Sequence, residues 1–254
     1  VKFLLICEGE GDDEDLKALT VRVLQEEHLW LVGLDRLEEP LPSWLEYEPG
    51  RGFLRWSDID KACDARKVPR VQRLGRGLGY RAALRAFRLL SALPALELRD
   101  GLRVVMVHDS DRVDGWQESL ELARTDWLGA MRGDGVDADV ALGIAHPEHE
   151  AWVLVAFEPR DTQEKGRLEE LRRRLGFDPT TQGDRLTSGR ETSPKDAKKT
   201  LRELCPDADR RRALMREAPL QRLRSCGGST GLSAFLDELR LYAASAFRRS
   251  PGGG

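Results

Sequence analysis

The chain has 254 residues, 40% of them hydrophobic and 33% charged, enough apolar material for one large core or a core with a smaller lobe and too much for a disordered segment. No run reaches the roughly 20 apolar residues that span a bilayer, and the apolar opening of residues 1–7 is too short for a signal peptide, so a cytoplasmic protein without membrane contact is expected. Cys7, Cys63, Cys205 and Cys226 form neither a CxxC pair nor a zinc-ligand spacing, and a net charge of −3 argues against a chain that coats nucleic acid throughout.

In chain order, KFLLIC is a continuous apolar run that stops at Glu8-Gly9, the pattern of a central strand buried on both faces of a parallel sheet. From Asp12 to about His28, Leu16, Leu19, Val23 and Leu24 recur at helical spacing, and acids fill the first turn, where the helix dipole favours them. Residues 31–56 are broken by Pro and Gly and read as irregular, with one short strand at most. Arg70 to Leu74 reads as a short strand, and the Gly-rich GRGLG leads into a helix from about Tyr80 to Ala92. A strand from Arg103 to His108 ends at Asp109-Ser110-Asp111. A helix from about Val113 to Met131, a strand from Ala138 to Ala145 and a helix after Pro147 follow. Beyond Phe157 the pattern becomes charged helices at Thr162 to Leu175, Pro194 to Cys205, Asp207 to Glu217 and Leu232 to Arg248. This order predicts right-handed crossovers and an α/β fold: an open, mainly parallel sheet flanked by helices over residues 1–157, a basic helical region over 158–249 packed on it, and a Gly-rich tail, 250–254.

Charge is uneven. Residues 1–159 carry 20 Lys and Arg against 30 Asp and Glu, and residues 160–254 carry 21 against 14. Inside the acidic part, Lys61 to Leu90 holds nine cations and one acid, Asp64. Arg70, Arg73, Arg76 and Arg81 there, and Lys198 and Lys199 in the C-terminal part, are candidates to hold phosphates of a nucleic acid; a solvated helix face explains each segment equally well.

In an open parallel sheet the usable crevice lies at the carboxyl ends of the strands, so Glu8, Asp109 and Asp111 are expected to converge although a hundred residues separate them. Carboxylates packed together repel one another unless a cation lies between them, and hard oxygen donors select Mg²⁺ or Mn²⁺. Ser110 should point away while Asp109 and Asp111 reach one ion or two neighbouring ions. Asp12 is retained as a further ligand candidate, whereas Glu10, Asp13, Glu14 and Asp15 read as helix N-terminal charges. His108, His146 and His149 flank these acids and carry a proton or ligand role as an option. GRGLG lacks the order of a P-loop. The tryptophans read as packing residues, with Trp56 close enough to the basic island to stack a base.

ICEGEGDDEDL at Ile6 to Leu16, together with VVMVHDSD at Val104 to Asp111, resembles the topoisomerase-primase (TOPRIM) domain, whose signature is a strand-terminal Glu-Gly and a later strand-terminal DxD. IAHPEHEAWVLVAF followed by SGRETSPKDAKKTLREL is similar to TOPRIM proteins of the bacterial overcoming-lysogenization-defect (OLD) and RloB-like type. The resemblance implies a metal-dependent nuclease, plausible in phage defence, with Glu8 as ligand or general acid/base, Asp109 and Asp111 as ligands, Glu150 completing a second metal site and Lys195 neutralising charge on the scissile phosphate. No tyrosine lies in a motif that would support topoisomerase chemistry. Two rival expectations stand beside it: a non-catalytic subunit docking onto a separate ATPase, since the chain has no Walker motif, and a phospho-receiver built on Asp109, for which the chain is about twice too long.

Overall fold

The computed structural model describes residues 2–28, 43–46, 51–70, 78–92, 102–111, 113, 115–133, 138–187, 189–190 and 192–243. Strand β1 (Lys2–Cys7) leads into helix α1 (Asp12–Glu27); two short strands, β2 (Ser43–Trp44) and β3 (Leu54–Arg55), precede a 3₁₀ turn (Trp56–Asp58) and helices α2 (Ile59–Ala65) and α3 (Leu78–Ser91). Strand β4 (Leu102–Asp109), helix α4 (Trp116–Gly133), strand β5 (Ala138–Ala145) and helix α5 (His149–Ala156) complete the α/β part. The C-terminal part is helical: α6 (Thr162–Leu175), α7 (Ala197–Leu204), α8 (Ala208–Glu217), α9 (Leu220–Cys226) and α10 (Leu232–Glu238), which runs into a π-type turn (Leu239–Ala243).

All pairings are parallel. β4 lies on one side of β1 and is followed by β5, while β2 and β3 lie in tandem along the other side. Both faces of the sheet are apolar, as the unbroken hydrophobic strands require. Phe3, Leu5 and Cys7 of β1, with Val105 and Val107 of β4, join one core with α1, α5 and the C-terminal helices. Leu4 and Ile6, with Val104 and Met106, join the other with α2, α3 and α4.

The C-terminal helices therefore share a core with the sheet. Its centre is Trp152, stacked on Phe235 with ring centroids 5.1 Å apart and donating its indole N–H to the Thr230 carbonyl at 2.6 Å. Gly143 makes room for this pair: a Cβ there would come within 2.7 Å of the Phe235 ring. Three of these helices begin on an aspartate that accepts a backbone N–H of the first turn, Asp161 from Glu164, Asp196 from Lys199 and Asp207 from Arg210.

The outer edge of β5 is covered by side chains. Arg124 of α4 donates to the Val140 carbonyl, the Leu142 N–H donates to Glu238, and Arg124 and Glu238 are themselves paired at 2.5 Å.

Several elements differ from expectation. α2 and α9 span seven residues each, and too few apolar positions fall in either to register as a period. α7 starts at Ala197 rather than near Pro194 because Asp196 supplies its cap. The α-helical hydrogen bonding expected from Leu232 onward ends at Glu238. The strand expected from Arg70 to Leu74 lies, after Arg70, outside the described residues, as does everything beyond Ala243. No helix among the described residues is long and apolar enough to cross a membrane.

Candidate metal centre

The chain places its next strands after β1 on one side and β4 on the other, so the crevice between the carboxyl ends of β1 and β4 is the topological switch point of the sheet. The last paired residues of these strands are Ile6 and Met106; β1 then leaves the sheet at Glu8 while β4 continues to Asp109. In that opening the Val107 carbonyl accepts the indole N–H of Trp56 at 2.6 Å, and the backbone of Asp109 hydrogen-bonds the Glu8 carboxylate. Glu8 and Asp109 thus meet, as their strand-terminal positions predict.

Asp12, in the first turn of α1, accepts the Gly9 N–H at 3.1 Å. The turn between them contains Gly11 at φ 101°, a conformation that suits glycine. Asp12 Oδ1 lies 3.1 Å from Nδ1 of the buried His149, whose Nε2 is 3.9 Å from Asp15 Oδ2. The backbone N–H of the same histidine donates to Asp109 Oδ1 at 3.0 Å. His149 therefore ties α1, the end of β4 and the start of α5 together. Ser110 is buried, with its N–H on the Ala145 carbonyl and its hydroxyl on that of Pro147, and so points away as expected. Asp111 follows at φ 46°, a left-handed conformation that aspartate tolerates better than most residues, with its N–H on the Pro147 carbonyl and its side chain exposed. Lys198 of α7 reaches over the acids, 3.6 Å from Glu148 and 3.7 Å from Glu150.

Electrostatics distinguishes this place from an ordinary charged surface. Burial pushes the Asp109 carboxyl up to about 8; the nearby His149 charge opposes the rise, and Asp12, Glu150 and Glu8 reinforce it. Burial likewise raises Glu8 to about 7, against the hydrogen bond from Asp109 and with Asp111 and Asp12 adding to the effect. Burial also raises Asp15, to about 6. For Asp12, burial is outweighed by the charge and hydrogen bond of His149, which hold it below the usual range. His149 is the reciprocal case: burial disfavours its charge, but Asp12 and Asp15 overcome this and raise it to about 10. Glu150 and Glu148 raise Lys198 despite its partial burial. The negative charge gathered around Glu8 and Asp109 is thus only partly balanced by His149 and Lys198.

The structure brings together Glu8, Asp12, Asp109, Asp111 and Glu150, whose charges act on one another. Among the described residues, no three His, Cys, Asp or Glu side chains are drawn closely enough to enclose an ion. Lys195 is exposed, and its backbone N–H donates to Ser193 Oγ; the cation delivered to the acids is Lys198, three residues on. Lys199 Nζ donates to the Thr192 carbonyl. Arg70 is exposed beside Asp64, and Arg81 is exposed in the first turn of α3; Arg73 and Arg76 lie outside the described residues. Asp15 and Glu148 belong to the site although the sequence reading gave neither a part in it. Asp15 carried a usable signal, because it stands one helical turn after Asp12.

Many cations of the basic C-terminal region have partners within the fold. Arg172 pairs with Asp178, Arg174 with Glu203, Arg216 with Glu14 and Arg224 with Glu26, while Arg222 donates to the carbonyls of Val155 and Phe157.

Comparison of the chain with protein-family models, with curated proteins and with solved structures found no match in any of the three.

Proposed function

We propose that the chain is a divalent-cation-dependent phosphodiesterase acting on DNA or RNA, with Glu8, Asp109, Asp111 and Glu150 as the oxygen donors for Mg²⁺ or Mn²⁺. The observation that carries this reading is the meeting of Glu8 and Asp109 at the switch-point crevice, where their carboxyls are raised to about 7 and 8 by burial and neighbouring charge. The all-oxygen chemistry of these donors suits a hard cation, which on binding would draw them closer than they stand. When bound, two ions supply an activated water and stabilisation of the leaving oxygen.

The chain's own residues have separable parts in this scheme. The amide of His149 and the backbone of Asp109 hold the carboxylates of Asp109 and Glu8 in place. Glu8 has two roles open to it, an oxygen ligand of the ion or, where it is not bound to the ion, the group that accepts or returns a proton at the reacting phosphate. Lys198, beside Glu150, takes the role first assigned to Lys195: its ammonium is placed to offset charge growing on the phosphate. The exposed Arg70 and Arg81 belong to the proposal as backbone-phosphate contacts, giving salt-sensitive binding with little sequence preference. The resemblance to OLD and RloB-like TOPRIM proteins, and with it a place in phage defence, is part of the same proposal.

The test is cleavage of single- and double-stranded DNA and RNA with Mg²⁺ or Mn²⁺ by the wild type and by the Asp109→Ala/Asp111→Ala double variant, whose fold is checked by circular dichroism. Metal-dependent cleavage by the wild type and its loss in the variant are expected; equal turnover by both refutes the assignment.

A further inference from the structure

We propose that His108 is a positioning residue for the Glu8 carboxylate, and that Gly79, Trp56 and Trp116 serve to fix its ring. The inference rests on the metal reading above and concerns residues to which that reading gives no part.

His108 is buried at the end of β4, between two tryptophans from different segments. Trp116, the first residue of α4, stacks on the imidazole with centroids 3.8 Å apart and planes 29° apart. Trp56, in the 3₁₀ turn after β3, meets it edge-on at 4.9 Å and is itself anchored through its indole N–H to the Val107 carbonyl. The benzo edge of Trp116 lies against Gly79 near the start of α3. A Cβ at Gly79 would fall 2.1 Å from Trp116 Cε3 and 2.5 Å from Cζ3, so no other residue fits there without displacing the indole. This accounts for one glycine of the GRGLG segment by close packing.

The orientation of the ring so held is specific. Nδ1 faces two oxygens, the carbonyl of Asp109 and, at 3.4 Å, Oε1 of Glu8. A carbonyl only accepts, so Nδ1 carries the proton and donates it to Asp109, with the Glu8 carboxylate beside the same N–H. A residue needed only to fill space between two indoles would be served by a phenyl ring. The imidazole adds a polar N–H edge 3.4 Å from the carboxylate that β1 delivers to the crevice. Outer partners that orient a ligand in this way typically account for about 10–100-fold in metal affinity.

The experiment is Mn²⁺ binding by the full chain, read as free Mn²⁺ by electron paramagnetic resonance and, independently, as the change in tryptophan fluorescence. His108→Phe keeps an aromatic ring between the indoles and removes the donor; His108→Asn places an amide N–H near the position of Nδ1. The expected result is a loss of about tenfold or more in Mn²⁺ affinity for His108→Phe, with affinity largely restored in His108→Asn. Gly79→Ala should weaken binding at least about threefold by displacing Trp116, and it carries the test should His108→Phe not fold. Affinity within twofold of wild type in His108→Phe, or in Gly79→Ala if that variant carries the test, overturns the inference, as does an equal loss in the Asn variant. A wild type that binds no Mn²⁺ overturns the metal reading itself, and this inference with it.

Discussion

Two regions of the molecule handle buried charge in opposite ways. In the C-terminal helices, Arg210 and Glu164, whose side chains are only 11% and 10% exposed, form an ion pair, and Glu164 also accepts the Arg160 N–H at 2.7 Å. At the carboxyl edge of the sheet, Glu8 and Asp109 are half-buried, Glu8 with 34% of its side chain exposed, and their neighbours are mostly other acids. Compensated charge holds a fold together, whereas uncompensated charge lowers stability and is retained where a ligand completes it. The difference separates the structural ionic network from the candidate site more sharply than composition does.

The largest effect expected within this contrast is structural. Glu164→Ala takes away the nearer of the two carboxylates around Arg210, Glu217 standing 3.8 Å away, and removes the acceptor for the Arg160 N–H; a loss of about 3 kcal/mol is expected, or roughly 6–12 °C in thermal midpoint for a chain of this size. Mn²⁺ affinity should not change, and a joint loss of both would erase the distinction between the regions. Next comes Lys198→Ala, expected to slow metal-dependent cleavage by about 100-fold, the scale of removing one electrostatic partner of a transition state. Lys195→Ala should stay within about twofold of wild type, a margin worth less than 0.5 kcal/mol; the reverse ranking in a steady-state assay would return the role to Lys195.

The smallest effect is a pH dependence. Asp109 and Glu8 titrate near 8 and 7 in the folded chain, against roughly 4 when unfolded. Between those limits the folded state binds more protons, so stability falls as pH rises. His149 acts in the same direction: the stability from its raised pKa is present in full below about 6.5 and is lost as pH approaches 10. In the absence of divalent cations the thermal midpoint should therefore drop between pH 5 and pH 8. Asp109→Asn should flatten that drop and raise the midpoint at pH 8 by a few degrees. A wild-type midpoint that rises from pH 5 to pH 8 would contradict the charge imbalance.

Legibility in the sequence followed the range of the interactions. β1, β4 and β5 could be bounded to within one residue because each is an apolar run that must be buried on both faces, and acids at the ends of β1 and β4 mark where the sheet opens. Glu8 and Asp109 followed from that rule alone. What the sequence left undecided depends on which partner a side chain finds across the fold. Lys195 and Lys198 stand in one basic segment, and only the cap at Asp196 and the packing of α7 beside α5 decide which of them faces Glu150. The hub role of His149 was open for the same reason: its partners lie on α1 and β4, more than a hundred and about forty residues away. The C-terminal arginines read as a basic face, yet Arg216 and Arg224 find their acids on α1, about two hundred residues earlier in the chain.

The guarded margin of β5 bears on how the protein behaves at high concentration. A bare outermost strand offers a ladder of unpaired amides and carbonyls on which another molecule can build, the usual route to aggregation. Because Arg124 and Glu238 occupy Val140 and Leu142 on that margin, intermolecular strand addition must first break their ion pair. Glu238, remote from the candidate site, thereby guards that margin against strand addition.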